Sequence, residues 1–144
     1  MESLIPLLKH KNYWVRRSAM SALGNIGGEK ALESVIPLLR DEDSGVRMSA
    51  AEALGNIGGE KALESVIPLL KDKVSYVRWS AASALGKIGG EKALESLIPL
   101  LKDEDSDLRL SAAEALAQIC AREGLVIYED GQVQRIEGTV NDTA

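Results

Sequence analysis

Residues 44–61, SGVRMSAAEALGNIGGEK, return almost unchanged as residues 75–92, SYVRWSAASALGKIGGEK. The two stretches differ only at Gly45/Tyr76, Met48/Trp79, Glu52/Ser83 and Asn56/Lys87. Extending the comparison outward gives units of 31 residues beginning at Ala31, Ala62 and Ala93, with a fourth over residues 1–30 that lacks only the first position. Units 31–61 and 62–92 differ at seven of 31 positions: the four above, plus Arg40/Lys71, Glu42/Lys73 and Asp43/Val74. Self-similarity at such a period marks a stacked array, and four units exceed the roughly three that a stable stack needs.

Each unit holds two helical patterns. In the first, helix A, Leu32, Val35, Ile36 and Leu39 recur at i, i+3, i+4 and i+7, with acidic residues ahead and Arg40 or Lys71 at the end, which suits the helix dipole. Every proline (Pro6, Pro37, Pro68, Pro99) falls late in this helix, so a bend is expected there in each unit. In the second, helix B, Val46, Ala50, Ala53, Leu54 and Ile57 share one face, and Asp43/Ser44, Ser75 and Asp105/Ser106 are the candidate N-caps. Helix B stops at Gly58-Gly59, where glycine can take a left-handed conformation. Gly24, Gly55 and Gly86 lie inside it, at a cost of roughly 1 kcal/mol each relative to alanine, so a neighbouring backbone is expected to pass close by.

The pattern DEDSGVRMSAAEALGNIGGEKALESVIPLL, residues 41–70, resembles HEAT-like repeats of the phycobilisome-lyase type over about 120 residues. The resemblance implies an all-α right-handed superhelix over residues 1–123, in repeats 1–30, 31–61, 62–92 and 93–123, with the B helices lining the concave surface. Repeated Arg16, Arg47, Arg78 and Arg109 are expected to form a ladder with Asp41, Asp72 and Asp103, from which unit 1 departs with His10. The resemblance also allows a lyase-like subunit acting in bilin attachment or removal, and the near identity of the units allows a consensus-like scaffold.

On a wheel of 100° per residue, positions 45, 48, 52 and 56 fall between about 200° and 280° from Val46, away from the core positions, which lie within about −20° to 80°. The variable positions therefore form one exposed stripe, while helix A hardly varies. Across the units the stripe reads Trp14, Gly45, Tyr76, Asp107, then Arg17, Met48, Trp79, Leu110, then Ser21, Glu52, Ser83, Glu114, with Tyr13 beside it. Both tryptophans lie on it, and the chain has no phenylalanine at all. Any surface carries some apolar side chains, but Trp, Tyr and Arg gathered on one stripe match the composition of interaction hot spots. The partner-binding residues are thus Tyr13, Trp14, Arg17, Gly45, Met48, Glu52, Tyr76, Trp79, Ser83, Asp107, Leu110 and Glu114. Trp14 and Tyr76 are expected to flank a slot over Gly45 that takes an apolar group of a protein or peptide.

Other chemistries find little support. GNIGGEKA, residues 55–62, fails the phosphate-loop pattern in spacing and follows a helix rather than a strand. His10 is the only histidine and Cys120 the only cysteine, so no metal-ligand set, catalytic pair or internal disulfide is expected, and no cofactor is implied. A net charge of −5 argues against nucleic acid. No apolar run approaches the roughly 20 residues of a membrane span, and the absence of a signal-like leader together with the single thiol points to the cytoplasm.

The two ends differ from the middle. Met1, Leu4, Ile5 and Leu8 are as apolar as their internal counterparts although no earlier unit covers them, so self-association into a homodimer is expected through this uncapped repeat. After Cys120 the repeat is lost, and LVIYEDGQVQRIEG, residues 125–138, reads as two short strands joined at Asp130-Gly131. Residues 124–137 are therefore expected to form a hairpin cap, and 138–144 a flexible tail.

Overall fold

The repeated pattern becomes a row of helix pairs in the computed structural model, which describes residues 3–136. The B helices are α1 (Tyr13–Ile26), α3 (Ser44–Ile57), α5 (Ser75–Ile88) and α7 (Ser106–Glu123). Between them lie the shorter α2 (Glu29–Val35), α4 (Glu60–Val66) and α6 (Glu91–Leu97). Each of these passes directly into a 3-10 segment, Ile36–Arg40, Ile67–Lys71 and Ile98–Lys102; among the described residues ahead of α1, unit 1 shows the 3-10 segment Ile5–Lys9. Proline sits in the first turn of every 3-10 segment. The expected bend is thus a change of helix type, made where proline removes a donor from the α-helical ladder.

Capping follows the loop chemistry, with one exception. Asp43 and Asp105 are N-caps whose carboxylates accept two backbone N–H groups each, and the Asn12 amide oxygen accepts one, from Trp14. Ser75 was the expected cap of α5, but the cap position is Val74, which has no oxygen to offer. The loop keeps its shape because Asp72 Oδ1 accepts from the Val74 N–H at 2.9 Å, as Asp41 and Asp103 do for Asp43 and Asp105. In unit 1 the His10 Nδ1 takes that acceptor role toward Asn12 at 3.0 Å.

The core is a single apolar layer of Leu, Ile, Val, Ala and Met20, with no aromatic ring in it. Val46, Ala50, Ala53 and Leu54 are buried as the helical wheel requires, and Ile57 is half-buried at the edge. α1 packs on α3, α3 on α5 and α5 on α7 along their lengths. The contact is close because Gly24 meets Ala53, Gly55 meets Ala84 and Gly86 meets Ala115. A Cβ on these glycines would lie 3.0, 3.0 and 2.8 Å from the nearest atom. The B helices thus form one continuous layer, α1–α3–α5–α7. On the opposite side Lys92 of α6 reaches Glu60 and Glu64 of α4 at 3.0 and 2.6 Å. The hydrogen bond and charge of Lys92 hold the Glu64 carboxyl below its ordinary range.

The arginine ladder forms with one rung moved. Arg47 is buried, its Nε and Nη2 donate to both Asp72 oxygens at 2.9 and 3.2 Å, and its Nη1 donates to the Asp41 and Glu42 carbonyls. Arg16 pairs with Asp41 at 3.3 Å, but its Nε has no aligned acceptor. Arg78 pairs with Asp105 at 3.0 Å, at the loop position that Val74 occupies one repeat earlier, and not with Asp103. Arg109 has no carboxylate partner among the described residues and donates only to the Asp103 and Glu104 carbonyls.

At the C-terminal end Cys120-Ala121 replaces the glycine pair, so α7 runs on to Glu123 before Gly124 closes it in a left-handed conformation. The added turn returns to α5: Arg122 donates to the Gly86 carbonyl at 2.9 Å and Glu123 accepts from the Gly90 N–H at 3.1 Å. β1 (Leu125–Ile127) and β2 (Val133–Arg135) then pair antiparallel, with Ile127 opposite Val133. The turn is not the expected two-residue Asp130-Gly131. Tyr128 and Gln132 are the last bonded pair, leaving the three residues Glu129, Asp130 and Gly131 in the loop, with Gly131 at φ 87°. That is the three-residue hairpin loop in which glycine supplies the final left-handed step. Leu125, Ile127 and Val133 pack on the core, so the hairpin lies against the last unit. Residues 137–144, with the expected tail, lie outside the described residues.

Candidate functional site

The variable stripe runs along the surface of the B helices. Trp14 is 59% exposed, Tyr13, Tyr76 and Trp79 are 37% exposed, and Leu110 is 60% exposed. Glu52, Ser83, Asp107 and Glu114 are exposed, whereas Arg17, Gly45 and Met48 are half-buried. Met48 packs its side chain against the core edge, which makes it a floor more than a contact.

The geometry around Gly45 departs from the expected slot. The Arg17 guanidinium lies 5.0 Å from the centroid of the Trp14 ring and its Nε donates to Ser49 Oγ at 3.0 Å. This route takes it across the start of α3, with Nη1 3.7 Å from where a Gly45 Cβ would stand. The space that the missing side chain leaves is thus bounded by Asp43 Oδ1, 3.0 Å from that point, and by an arginine of the preceding unit. Tyr76 does not stand as a free wall either, because its hydroxyl bonds Ser44 Oγ across the α3–α5 boundary. Tyr13 and Trp14 stack at 4.8 Å and 32°, forming one aromatic ledge at the N-terminal end of the groove.

What remains open is a cleft of about 260 Å³ between α1 and α3, lined by Trp14, Arg17, Ser18, Ser21, Ser49, Glu52, Ala53 and Asn56. It gathers Trp14, Arg17 and Glu52 from the expected set; Tyr76, Trp79, Asp107, Leu110 and Glu114 continue the surface along α5 and α7. Ser18 and Ser49 were not anticipated. Their signal was present, since each follows the Arg17/Met48 position by one residue and so borders the stripe on the inter-helix side.

Among the described residues no group of three or more His, Cys, Asp or Glu is placed to hold a metal ion, and no helix is long and apolar enough to cross a membrane. Burial first, and then the Glu123 charge, push the Cys120 thiol above its ordinary value. A thiol reagent at pH 7 should therefore modify it several-fold more slowly than the same cysteine in the urea-unfolded chain, because only the thiolate reacts. A measured rate equal to the unfolded one would contradict that environment.

A family model of HEAT repeats matches residues 1–78 and 56–117. No curated protein sequence matches the chain significantly. Human deoxyhypusine hydroxylase, solved with glycerol, is similar in structure with a TM-score of 0.74 and 27% identity, over 82% of this chain and 42% of that one. The CpcE–CpcF complex of phycocyanin lyase from Nostoc sp. PCC7120 gives a TM-score of 0.65 at 23% identity, over 83% and 65%. A designed armadillo repeat protein in complex with the peptide (KR)4 gives 0.59 at 23%, over 81% and 62%. The chain spans between 42% and 65% of the length of these three structures. The repeat pattern, the paired helices and the family match agree: the chain belongs to the HEAT-repeat family.

Proposed function

We propose that the chain is a non-catalytic interaction module of the cytoplasm that holds a protein or peptide along its concave B-helix face. One observation carries this reading. The core uses no aromatic residue, while Tyr13 and Trp14 of α1 and Tyr76 and Trp79 of α5 are all left at the surface, with Arg17 on α1 and Leu110 on α7. Large rings and arginine are the side chains that anchor partners, and exposing them in a line has no value for folding. The open, mixed-charge lining of the Trp14–Glu52 cleft suits a partner's side chains.

Affinity capture with the wild-type chain and with a Trp14→Ala, Trp79→Ala double variant tests the reading. The double variant should lose at least about tenfold in affinity for whatever the wild type retains, since each anchoring tryptophan contributes about 2 kcal/mol. Equal retention by both chains would refute the concave face as the binding surface. The fold likeness to the phycocyanin lyase complex supports a second reading, a subunit in bilin attachment or removal. It predicts visible absorbance in the purified complex, which a plain protein partner would not produce, together with energy transfer from Trp14 and Trp79 to that absorbing group.

A further inference from the structure

The variable surface has a period of two units, which a repeat of 31 residues does not require. In the loops ahead of the B helices, equivalent positions read Lys11, Glu42, Lys73 and Glu104; two turns into the helices they read Ser21, Glu52, Ser83 and Glu114. At the helix starts the rings of Trp14 and Tyr76 alternate with Gly45 and Asp107. The row Asn12, Asp43, Val74 and Asp105 adds a carboxylate to units 2 and 4 again. Units 1 and 3 are thus alike in basic loops and aromatic side chains, and units 2 and 4 are alike in acidic loops and in having no ring. Lys9, Arg40, Lys71 and Lys102, where helix A ends, are basic throughout and distinguish no unit.

The fold makes no use of this alternation. Lys11, Glu42, Lys73 and Glu104 are exposed, and among the described residues their side chains make no hydrogen bond or ion pair. Ser21, Glu52, Ser83 and Glu114 are exposed as well. The ladder that joins the units takes other carboxylates, Asp41, Asp72 and Asp105. A free row of alternating sign is complementary to the same row read in reverse.

A two-fold axis running along the B helices between α3 and α5 performs that reversal. It keeps the depth of each residue along its helix and inverts the order of the units. Lys11 then faces Glu104 of the second copy and Glu42 faces its Lys73, and symmetry makes each pair occur twice. The same rotation sets Tyr76 against Gly45, Trp79 against Met48 and Trp14 against Asp107, and it sets the carboxylates of Glu52 and Glu114 against the hydroxyls of Ser83 and Ser21. Rings therefore meet residues without rings, and the pitch of the two rows agrees because both are one and the same stack. Pairing each unit with its own copy would place Lys11 on Lys11 and Glu42 on Glu42. An axis through a unit would place Lys11 on Lys73. Like charge facing like charge disfavours both. Four helices at about 9 Å spacing, by the ten residues from row 11 to row 21 at about 1.5 Å each, give roughly 500 Å² per copy, the scale of a weak, concentration-dependent dimer.

We propose that the B-helix face is a self-association surface, on which a second copy of the chain docks with the order of its units reversed. This names the protein held on that face and so rests on the reading above. It replaces the self-association expected through Met1, Leu4, Ile5 and Leu8, of which Met1 lies outside the described residues and Leu8 is buried.

Sedimentation tests it. The parent chain should form a dimer at about 100 µM, where a complex of micromolar affinity is nearly saturated. Lys11→Glu with Lys73→Glu, and separately Glu42→Lys with Glu104→Lys, should each weaken the dimer at least about tenfold, since every row is then of one sign. Mixing the two variants in equal amounts should restore it. Helical circular dichroism checks that each variant is folded. A parent that stays monomeric at that concentration overturns the proposal; the broader reading survives if Trp14→Ala with Trp79→Ala still loses a captured partner, and falls with it if retention is equal. A dimer indifferent to both charge variants, a mixture of folded variants that does not recover, or a dimer broken only by Leu4→Glu also overturns it.

Discussion

Gly55→Leu should split the stack at its middle, lowering stability by about 3 kcal/mol or more through overpacking and the thermal midpoint by on the order of 10 °C. The reason is local and severe. A Cβ at residue 55 would already lie 3.0 Å from both the Cα and Cβ of Ala84, and backbone cannot yield as a flexible side chain does. A leucine there must push α5 away from α3, opening the layer that buries Val46, Leu54, Val77 and Leu85 together. Gly55→Ala is the informative control. It gains about 1 kcal/mol of helix propensity against a contact that has to relax by a few tenths of an ångström, so it should fall between wild type and leucine. Urea unfolding followed by helical circular dichroism reads all three. A leucine variant with the wild-type midpoint would show that the B helices are not held at this spacing.

The second large effect belongs to the ladder. Arg47→Ala should cost about 3 kcal/mol, because removing one member of a buried pair leaves the other charge without its partner. Here the stranded groups are the Asp72 carboxylate and the Asp41 and Glu42 carbonyls. Arg109→Ala removes a chemically identical residue from the end of the row, where it is exposed and bonds only its own loop, and should cost about 1 kcal/mol or less. Equal losses at the two positions would mean that the ladder does not join the units.

The pH dependence of Arg47→Ala follows from Asp72. Burial alone pushes its carboxyl up, but the Arg47 hydrogen bond, the Val74 N–H and the Arg47 and Lys73 charges together hold it below its ordinary value of 3.8. A depressed folded value means that the contribution is complete above the unfolded value and is lost as pH falls through the folded one. Without Arg47, only the Val74 N–H and the Lys73 charge still act against burial, so the carboxylate's contribution at neutral pH shrinks. The stability gap between wild type and variant should therefore be widest near pH 7 and narrow below about pH 4. A gap that stays constant down to pH 3 would assign the loss to packing alone. Asp105 adds to the acid sensitivity of the wild type, since the hydrogen bond from Arg78 outweighs its desolvation and lowers its value too.

The amino-acid sequence by itself determined the repeat, the helix pairs, the glycine stops at Gly58-Gly59 and the close approach at Gly24, Gly55 and Gly86. It also determined that the aromatic stripe faces outward. All of these depend on periods of 3.6 and 31 residues, and a linear chain displays its periods directly. The tertiary structure alone decided which side chain crosses from one unit to the next. Arg17 lying over Gly45 and Arg78 choosing Asp105 over Asp103 are of this kind, as is the burial of Leu8, which was expected on an open face. Each depends on the rotation and offset between neighbouring units, set by the Gly–Ala contacts and the 3-10 segments acting together. Long flexible side chains then take whichever partner that offset brings within hydrogen-bonding reach, and no spacing along the chain encodes it.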